Sequence, residues 1–401
     1  MIISDDHLWS DYGFMGHPQI QTPNLDKLAR ESLTFTRGYV PCSLCCPSLA
    51  SIITGQYPHQ HKVTSNDPPI PAGAAKKGFP KSPLFDQGRE IMSKHLEDAG
   101  TLPKMLQQKG YLSLQTGKWW QKHYSRGGFT HGMTKGGRHG DDGLDIGRKT
   151  MAPIYDFIQE AQGAKKPFFV WYAPMMPHDP HTPPQRLLEK YKGKAPSEHV
   201  AKYWAMVDWF DETCGDLMKH LDDKGLRENT IVVYVTDNGW ITNPQTGRYA
   251  DKSKQSQYDG GLRTPIMIRW PNQIAPKMST DLASSIDLAP TLLKAAGLEP
   301  TPAMTGLNLL DAAAVSARKT IYGECFTHNA MDLNIPSTSL RWRWIIDGHT
   351  KLIIPDQKNQ PQDVIELYDL QADPTEEKNL ATAQPDTVRQ LSGKLDAWWK
   401  P

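Results

Sequence analysis

"NTIVVYVTDNGW" (residues 229–240) is a short, nearly continuous run of β-branched and aromatic residues that stops on Asp237 and Asn238. A run of that length, apolar on both alternating sides, reads as a strand buried on both faces of a parallel sheet. Three further runs end the same way: "MIISDD" (1–6) on Asp5 and Asp6, "GYLSLQTGKWW" (110–120) near Lys118, and "PFFVWYAPMMPHDPH" (167–181) on His178 and His181. Helical spacing lies between them. "TPNLDKLARESLTF" (22–35) offers Thr22 as a cap, Pro23 in the first turn, and Leu25, Leu28 and Leu33 on one side. "GTLPKMLQQKG" (100–110) and "AMVDWFDETCGDLMKHLDDKG" (205–225) each close on a Gly. Strands alternating with helices predict an α/β fold, a mostly parallel sheet covered on both faces. Ligands of such sheets sit beyond the carboxyl ends of the strands, where Asp5, Asp6, Lys118, His178, Asp237 and Asn238 would all converge.

The bulk numbers narrow the function classes. In 401 residues, 38% hydrophobic and 22% charged, the net charge is only +1, so no field favours nucleic acid or an anionic membrane. No run reaches the roughly 18 apolar residues of a membrane span. The opening "MIISDD" carries no leader pattern and reads as the second half of a strand, either short or begun upstream. Stretches 61–100 and 121–147, rich in Gly with Pro, Lys or His, read as long loops. A boundary falls in "AGLEPTPAMTGLNLLDAAAVSARK" (296–319). Beyond it "KTIYGECF", "LRWRWIIDG" and "HTKLIIP" read as antiparallel strands, and "TVRQLSGKLDAWW" as a closing helix. The division expected is 1–310 and 311–401.

Five cysteines are an odd number, and three fall in "CSLCC" (42–46), too close together for a disulfide framework. A zinc site could pair Cys42 and Cys45 with His59 and His61, but the intervening stretch reads as a helix. The third reading is one reactive residue, Cys45, at a helix start, with Pro47 in the first turn and Gly55 at the exit. The exposed N–H groups and positive helix end would lower the thiol's pKa and hold an anion.

At these residues "LCCPSLASIITGQYP" (44–58) resembles the signature of type I sulfatases, C-x-P-S-R-A-S-x-x-T-G-x-Y-P. The resemblance runs nearly the whole length. "SDDHLWSDYGFMGHPQIQTPNLDKLARESLTFTRGYV" (4–40), "TGKWW" (116–120), "PMMPHDPH" (174–181), "IVVYVTDNG" (231–239), "KSKQSQYDGGLRTPIMIRWP" (252–271), "SSIDLAPTLLKAAGL" (284–298) and "ELYDLQADPTEEKNLA" (366–381) resemble family segments in order. It implies an alkaline-phosphatase-like α/β/α sandwich with a small C-terminal α+β subdomain built on an antiparallel sheet. It implies a sulfuric ester hydrolase in which Cys45 is converted to formylglycine by a maturation enzyme. Metal ligands would be Asp5, Asp6, Asp237, Asn238 and the modified Cys45. Lys118 and Lys254 would contact sulfate, and His178 the leaving oxygen. The expected substrate is a sulfated small molecule or saccharide, and the expected location periplasmic or secreted.

The residue types suit that chemistry. Cations must gather where charge develops on the sulfuryl oxygens, and an all-oxygen ligand set with several carboxylates favours Ca²⁺ before Mg²⁺. Each feature alone also has a plainer reading. Asp-Asp and Asp-Asn-Gly are turn chemistry, a lone Lys is a solvated surface group, and a free Cys is often buried and inert. Two positions depart from the family pattern. Leu49 stands at the signature's Arg, and Trp120 at the His of G-K-W-H, whose role would be to take a proton as sulfate leaves. His123 and His131 are the nearest substitutes in sequence, with His123 the first choice. Loops 61–100 and 121–147, with Arg126, Arg138 and His139, would rim the pocket. The alternatives are a non-catalytic sugar-binding relative and a phosphodiester or phosphonate hydrolase of the same superfamily.

Overall fold

A computed structural model describes residues 1–71, 73 and 79–401. Among these, eight strands form one sheet: β1 (Ile2–Ser4), β2 (Leu33–Tyr39), β3 (Leu112–Gly117), β4 (His131–Gly132), β5 (Phe168–Ala173), β6 (Val232–Thr236), β7 (Arg263–Arg269) and β8 (Lys277–Ser284). Their spatial order is β4-β3-β5-β1-β6-β7-β2-β8. Neighbours are parallel except around β7, which runs against both β6 and β2.

Alternation along the strands builds two separate cores. Ile3, Phe169, Trp171, Val233, Val235, Ile266 and Ile268 enter one, with Ile52, Ile53, Met92, Leu96 and Leu293 of the helices on that face. Ile2, Val170, Tyr172, Val232, Tyr234 and Met267 enter the other, with Leu25, Leu28, Ile158, Met206, Phe210 and Leu217. A sheet with apolar residues on both sides must be covered on both sides, which gives the three layers. Among the described residues, no helix is long and apolar enough to cross a membrane.

The central strand β1 is short, yet it is held on both sides. Ile2 to Ser4 pair in register with Tyr234 to Thr236, and Ile2 also pairs with Tyr172 of β5. The ladder continues past the strand ends, where Asp5 N donates to Met176 O and Asp237 N donates to Ser4 O, each at 2.9 Å.

The second sheet follows as β9 (Thr320–Phe326), β10 (Leu340–Asp347), β11 (Thr350–Pro355) and β12 (Glu366–Asp369), antiparallel in the order β12-β11-β10-β9. The closing helix Pro385–Trp398 buries Leu391 and Leu395 on Ile345, Leu352 and Leu367. The opposite face packs Trp342, Trp344, Ile346 and Ile353 on Tyr39, Val40, Leu262 and Leu282 of the large domain.

Three local expectations change. Thr22 precedes the helix Pro23–Arg30 but caps no N–H of it. Its hydroxyl instead donates to Asp26 Oδ1 and accepts from Gly13 N. Leu33 belongs to β2, so the leucine stripe crosses a helix–strand boundary. The stretch 61–100, expected to be a loop, contains the helix Pro83–Ala99. Ser82 accepts from Phe85 N at its start, and Phe85, Met92 and Leu96 are buried. The start signals Ser82 and Pro83 and the exit Gly100 were there to read, but the lysines and Gly88 obscured them. Positions 72 and 74–78 of that stretch lie outside the described residues. The stretch 121–147 is mostly irregular, as expected, with β4 and short 3₁₀ turns at Tyr124–Gly127 and Arg138–Asp145.

Candidate active site

Each apolar run delivers its terminal residues to one place. Asp5 and Asp6 leave β1, and Asp237 and Asn238 leave β6 beside them. Asp6 takes a left-handed backbone, φ 61°, which turns the chain at once. Asp237 Oδ1 accepts from Asp6 N at 3.0 Å and from Asn238 N at 2.6 Å, and Asn238 Nδ2 donates to Asp6 Oδ1 at 2.7 Å. Lys118 leaves β3 after Gly117, whose φ of 74° and closeness to Ala173 O leave no room for a Cβ. Its buried ammonium lies 2.9 Å from Asp5 Oδ2 and 3.5 Å from Cys45 Sγ. His178 Nε2 is 3.4 Å from Asp6 Oδ2, and its Nδ1 is 2.9 Å from Asp179 Oδ1.

Lys254 is not on a strand end at all. β7 runs antiparallel, so its start lies at the carboxyl edge of the other strands. The chain just before it therefore reaches the site, with Lys254 Nζ 2.7 Å from Asp6 Oδ2.

Cys45 begins the buried helix Cys45–Thr54, which exits at Gly55 in the left-handed region. Its Sγ is 3.9 Å from Asp5 Oδ1. Leu44 offers no side-chain cap. Asn66, brought in from the following loop, supplies one by accepting from Cys46 N at 2.9 Å. Among the described residues, ligand atoms of Asp5, Asp6, Cys45 and His178 all lie within 4.8 Å of one another.

Charges in this buried cluster set one another. Burial raises Asp5 to about 7, outweighing Lys118 and His178. Burial also pushes at Asp6, but Lys254, His178 and Lys118 hold it below its ordinary value. Asp237 is raised by burial and by Asp6. Burial works against both ammonium groups, yet Asp5 and Cys45 keep Lys118 raised, and Asp6 and Cys45 keep Lys254 raised. One expectation fails. Burial drives the Cys45 thiol well above its ordinary value despite Lys118 and Lys254, so the helix start does not acidify it.

The donor set fits a hard divalent cation. Asp5 and Asp6 carboxylate oxygens lie together, and Asp237 and Asn238 are both hydrogen-bonded to Asp6. Asp237 Oδ2 and Asn238 Oδ1 are buried and make no hydrogen bond among the described residues. Buried oxygens left without donors suit oxygen-ligated Ca²⁺ or Mg²⁺.

The disulfide and zinc readings fall away. All five cysteines are free and buried. Cys42 packs with Leu44, Phe326 and Leu340, His59 pairs with Glu324, and His61 bonds Ser51. The two substitutes for the residue at Trp120 are occupied elsewhere: His123 bonds Ser125, and His131 bonds Thr130 and pairs with Glu160. Arg126 turns to Glu90 and Glu97.

Of the residues around Trp120, the sequence named Arg138 and His139 for the pocket rim but not Arg89. Arg89, from the helix taken for a loop, is 3% exposed and stands 5.4 Å from the Trp120 ring centre. Arg138 stands 5.0 Å from it while paired with Asp67, and the His139 ring centre is 4.3 Å away. Only the helical spacing of residues 83–99 carried a signal for Arg89.

Comparison with known proteins gives a consistent result. The family model for sulfatase matches residues 1–298, and that for the N-sulphoglucosamine sulphohydrolase C-terminal region matches residues 247–398. Arylsulfatase A of Homo sapiens is 30% identical over 359 residues, covering 76% of this chain and 65% of that protein. N-acetylgalactosamine-6-sulfatase of Canis lupus familiaris is 28% identical over 357 residues, covering 78% and 65%. The chain thus spans 65% of the length of these two curated relatives. Among solved structures, BT4656 in complex with its substrate D-glucosamine-2-N,6-O-disulfate superimposes with a TM-score of 0.75 at 20% identity, covering 99% of this chain and 96% of that one.

Proposed function

The chain belongs to the sulfatase family, and from that premise we propose that it hydrolyses sulfate monoesters, acting on a sulfated carbohydrate. The observation that carries the reading is the placement of Cys45 at the start of a buried helix, 3.5 Å from the Lys118 ammonium, 3.9 Å from Asp5 Oδ1 and within 4.8 Å of an Asp6 carboxylate oxygen. The catalytic unit is residues 1–310, with 311–401 as the C-terminal subdomain. The large sheet's last strand ends at Ser284 and the small sheet begins at Thr320.

Asp5, Asp6, Asp237 and Asn238, together with the side chain at position 45, would hold a divalent cation, Ca²⁺ before Mg²⁺. Bound there, the cation supplies positive charge against the sulfuryl oxygens. Cys45 is the residue for conversion to formylglycine by a maturation enzyme, which replaces a thiol that burial keeps protonated with an oxygen nucleophile.

The other roles belong to the chain's own groups. Lys118 and Lys254 remain charged under burial because carboxylates surround them, and they present compact cations to the sulfate. His178, between Asp6 and Asp179, donates a proton to the departing alkoxide. The closed packing around Lys118 and Cys45, each 1% exposed, excludes water and strengthens these interactions. A sugar sulfate is supported by the disulfated glucosamine of the structural neighbour and by the arginine- and aromatic-lined surroundings of Trp120. The location proposed, on family grounds, is periplasmic or secreted.

The test is mass spectrometry of the tryptic peptide Gly38–Lys62 from protein made beside a maturation enzyme, followed by assays on sulfated sugars. The expected result is one cysteine converted, localised to Cys45, and release of sulfate. Unmodified Cys42, Cys45 and Cys46, from a host that matures other sulfatases, would overturn the hydrolase reading in favour of a non-catalytic sugar-binding protein.

A further inference from the structure

Cleaving an ester with an oxygen nucleophile moves two protons, one to the leaving alcohol and one away from an oxygen at the nucleophile. His178 is placed for the first between Asp6 and Asp179. We infer that His139 performs the second, accepting a proton from the oxygen carried at position 45. The inference rests on the reading proposed above.

The turn carrying His139 is docked on the end of the strand that carries Lys118. Trp119 N donates to His139 O at 2.9 Å, and Thr134 Oγ1 donates to Gly140 O at 2.9 Å. A Cβ on Gly140 or Gly143 would meet Gly117 O at 2.4 or 2.7 Å, so the turn approaches β3 as only glycine permits. His139 itself has φ 72°, and Asp141 φ 47°. Such backbone costs roughly 1–3 kcal/mol for a non-glycine residue and persists where its surroundings over-determine it.

The docked turn sets the His139 ring edge-on to Trp120, centres 4.3 Å apart with planes at 71°. Lys118 Nζ is 5.7 Å from the same Trp120 ring and 3.5 Å from Cys45 Sγ. Trp120 is thus the wall shared by the histidine and the site. Among the described residues, the His139 ring nitrogens make no hydrogen bond or ion pair, whereas both nitrogens of His178 face carboxylates. Burial, then Lys118, Arg138, His178 and Lys254, hold His139 below its ordinary value, so it is neutral near pH 7 and able to accept. A sulfate group beside the two lysines offsets part of their field and raises its basicity.

The step balances. The O–H bond at position 45 breaks and its proton passes to the His139 ring. The O–H electron pair closes a C=O on the side chain, and the C–O bond to sulfur's oxygen breaks with its pair leaving on sulfate. The half-buried ring then returns the proton to water.

The decisive variant is His139→Asn, because Asn tolerates the left-handed backbone. In matured enzyme we expect turnover to fall about 10²–10⁴-fold with KM little changed, after a normal first release of alcohol. Intact mass should show protein heavier by one SO₃ on the Gly38–Lys62 peptide. Turnover within about twofold of the parent, with no such mass, overturns the assignment. A second measurement needs no maturation: histidine ring NMR signals of the Cys45→Ala protein, titrated with inorganic sulfate. Sulfate should shift both His178 and His139. A shift of His178 alone defeats the inference and leaves the proposed function standing, whereas a shift of neither defeats both.

Discussion

At the scale of single residues, the oxygens of Asp237 and Asn238 left without donors carry the argument for a cation. Calcium at about a hundredfold its Kd should add about 2.7 kcal/mol to the unfolding free energy. Asp237→Ala should abolish that increment, as read by thermal unfolding with and without chelator. Outside the site, Asp11 offers a test with a definite sign. It is 5% exposed, and burial, offset only in part by Tyr203, raises its carboxyl to about 7. The unfolded chain loses that proton at about pH 4. Between these values the folded protein holds more protons, so its contribution to stability is full in acid and is lost as pH rises toward 7. Asp11→Asn stays neutral throughout. Denaturant titrations should therefore show its stability, relative to the parent, rising from acid to alkaline pH. A difference that is flat with pH would mean Asp11 ionises normally.

At the scale of elements, the helix Pro83–Ala99 matters most, because it brings Arg89 to Trp120. Its Gly88 looks like a weakness, since Ala is favoured in helices by about 1 kcal/mol. A Cβ there would meet Pro68 Cβ at 2.3 Å, however. Gly88→Ala should therefore lower the melting temperature rather than raise it, and a gain in stability would show that the 68–88 contact yields freely. Ser82→Ala at the cap should cost about 1 kcal/mol, without touching the site. The reversed strand β7 teaches the same lesson from another element. Its direction alone brings Lys254 to Asp6, and nothing in the apolar pattern of "RTPIMIR" tells a parallel strand from an antiparallel one.

At the scale of the whole molecule, the two sheets are tied by Lys351, which is fully buried with Nζ 3.0 Å from Asp259 Oδ1 and 2.7 Å from Glu376 Oε1. Asp259 also accepts from Tyr39 of β2 at 2.9 Å, and Asp259 N donates to Glu376 Oε2 at 2.6 Å. Removing the lysine leaves two carboxylates facing each other in the interior. Lys351→Met should cost about 3–5 kcal/mol in urea unfolding. It should also reduce sulfate-ester turnover, because Asp259 lies in the segment that carries Lys254. Full activity in a destabilised variant would show that the C-terminal subdomain supports the fold without shaping the site.

What the sequence determined by itself is local in origin. Short β-branched runs ending on Asp5, Asp6, Lys118, His178, Asp237 and Asn238 imply a covered parallel sheet with one edge for chemistry, since burial on both faces and polar strand ends are written residue by residue. The position of Cys45 at a helix start was legible in Pro47 and Gly55 for the same reason. Tertiary structure alone decided which groups meet from far apart in the chain. It set the His139 ring against Trp120, and it brought Arg89 out of a stretch read as loop. It also decided the charge state of Cys45. A helix start favours the thiolate, but complete burial disfavours any charge more strongly, and burial is a property of the packed molecule rather than of the segment.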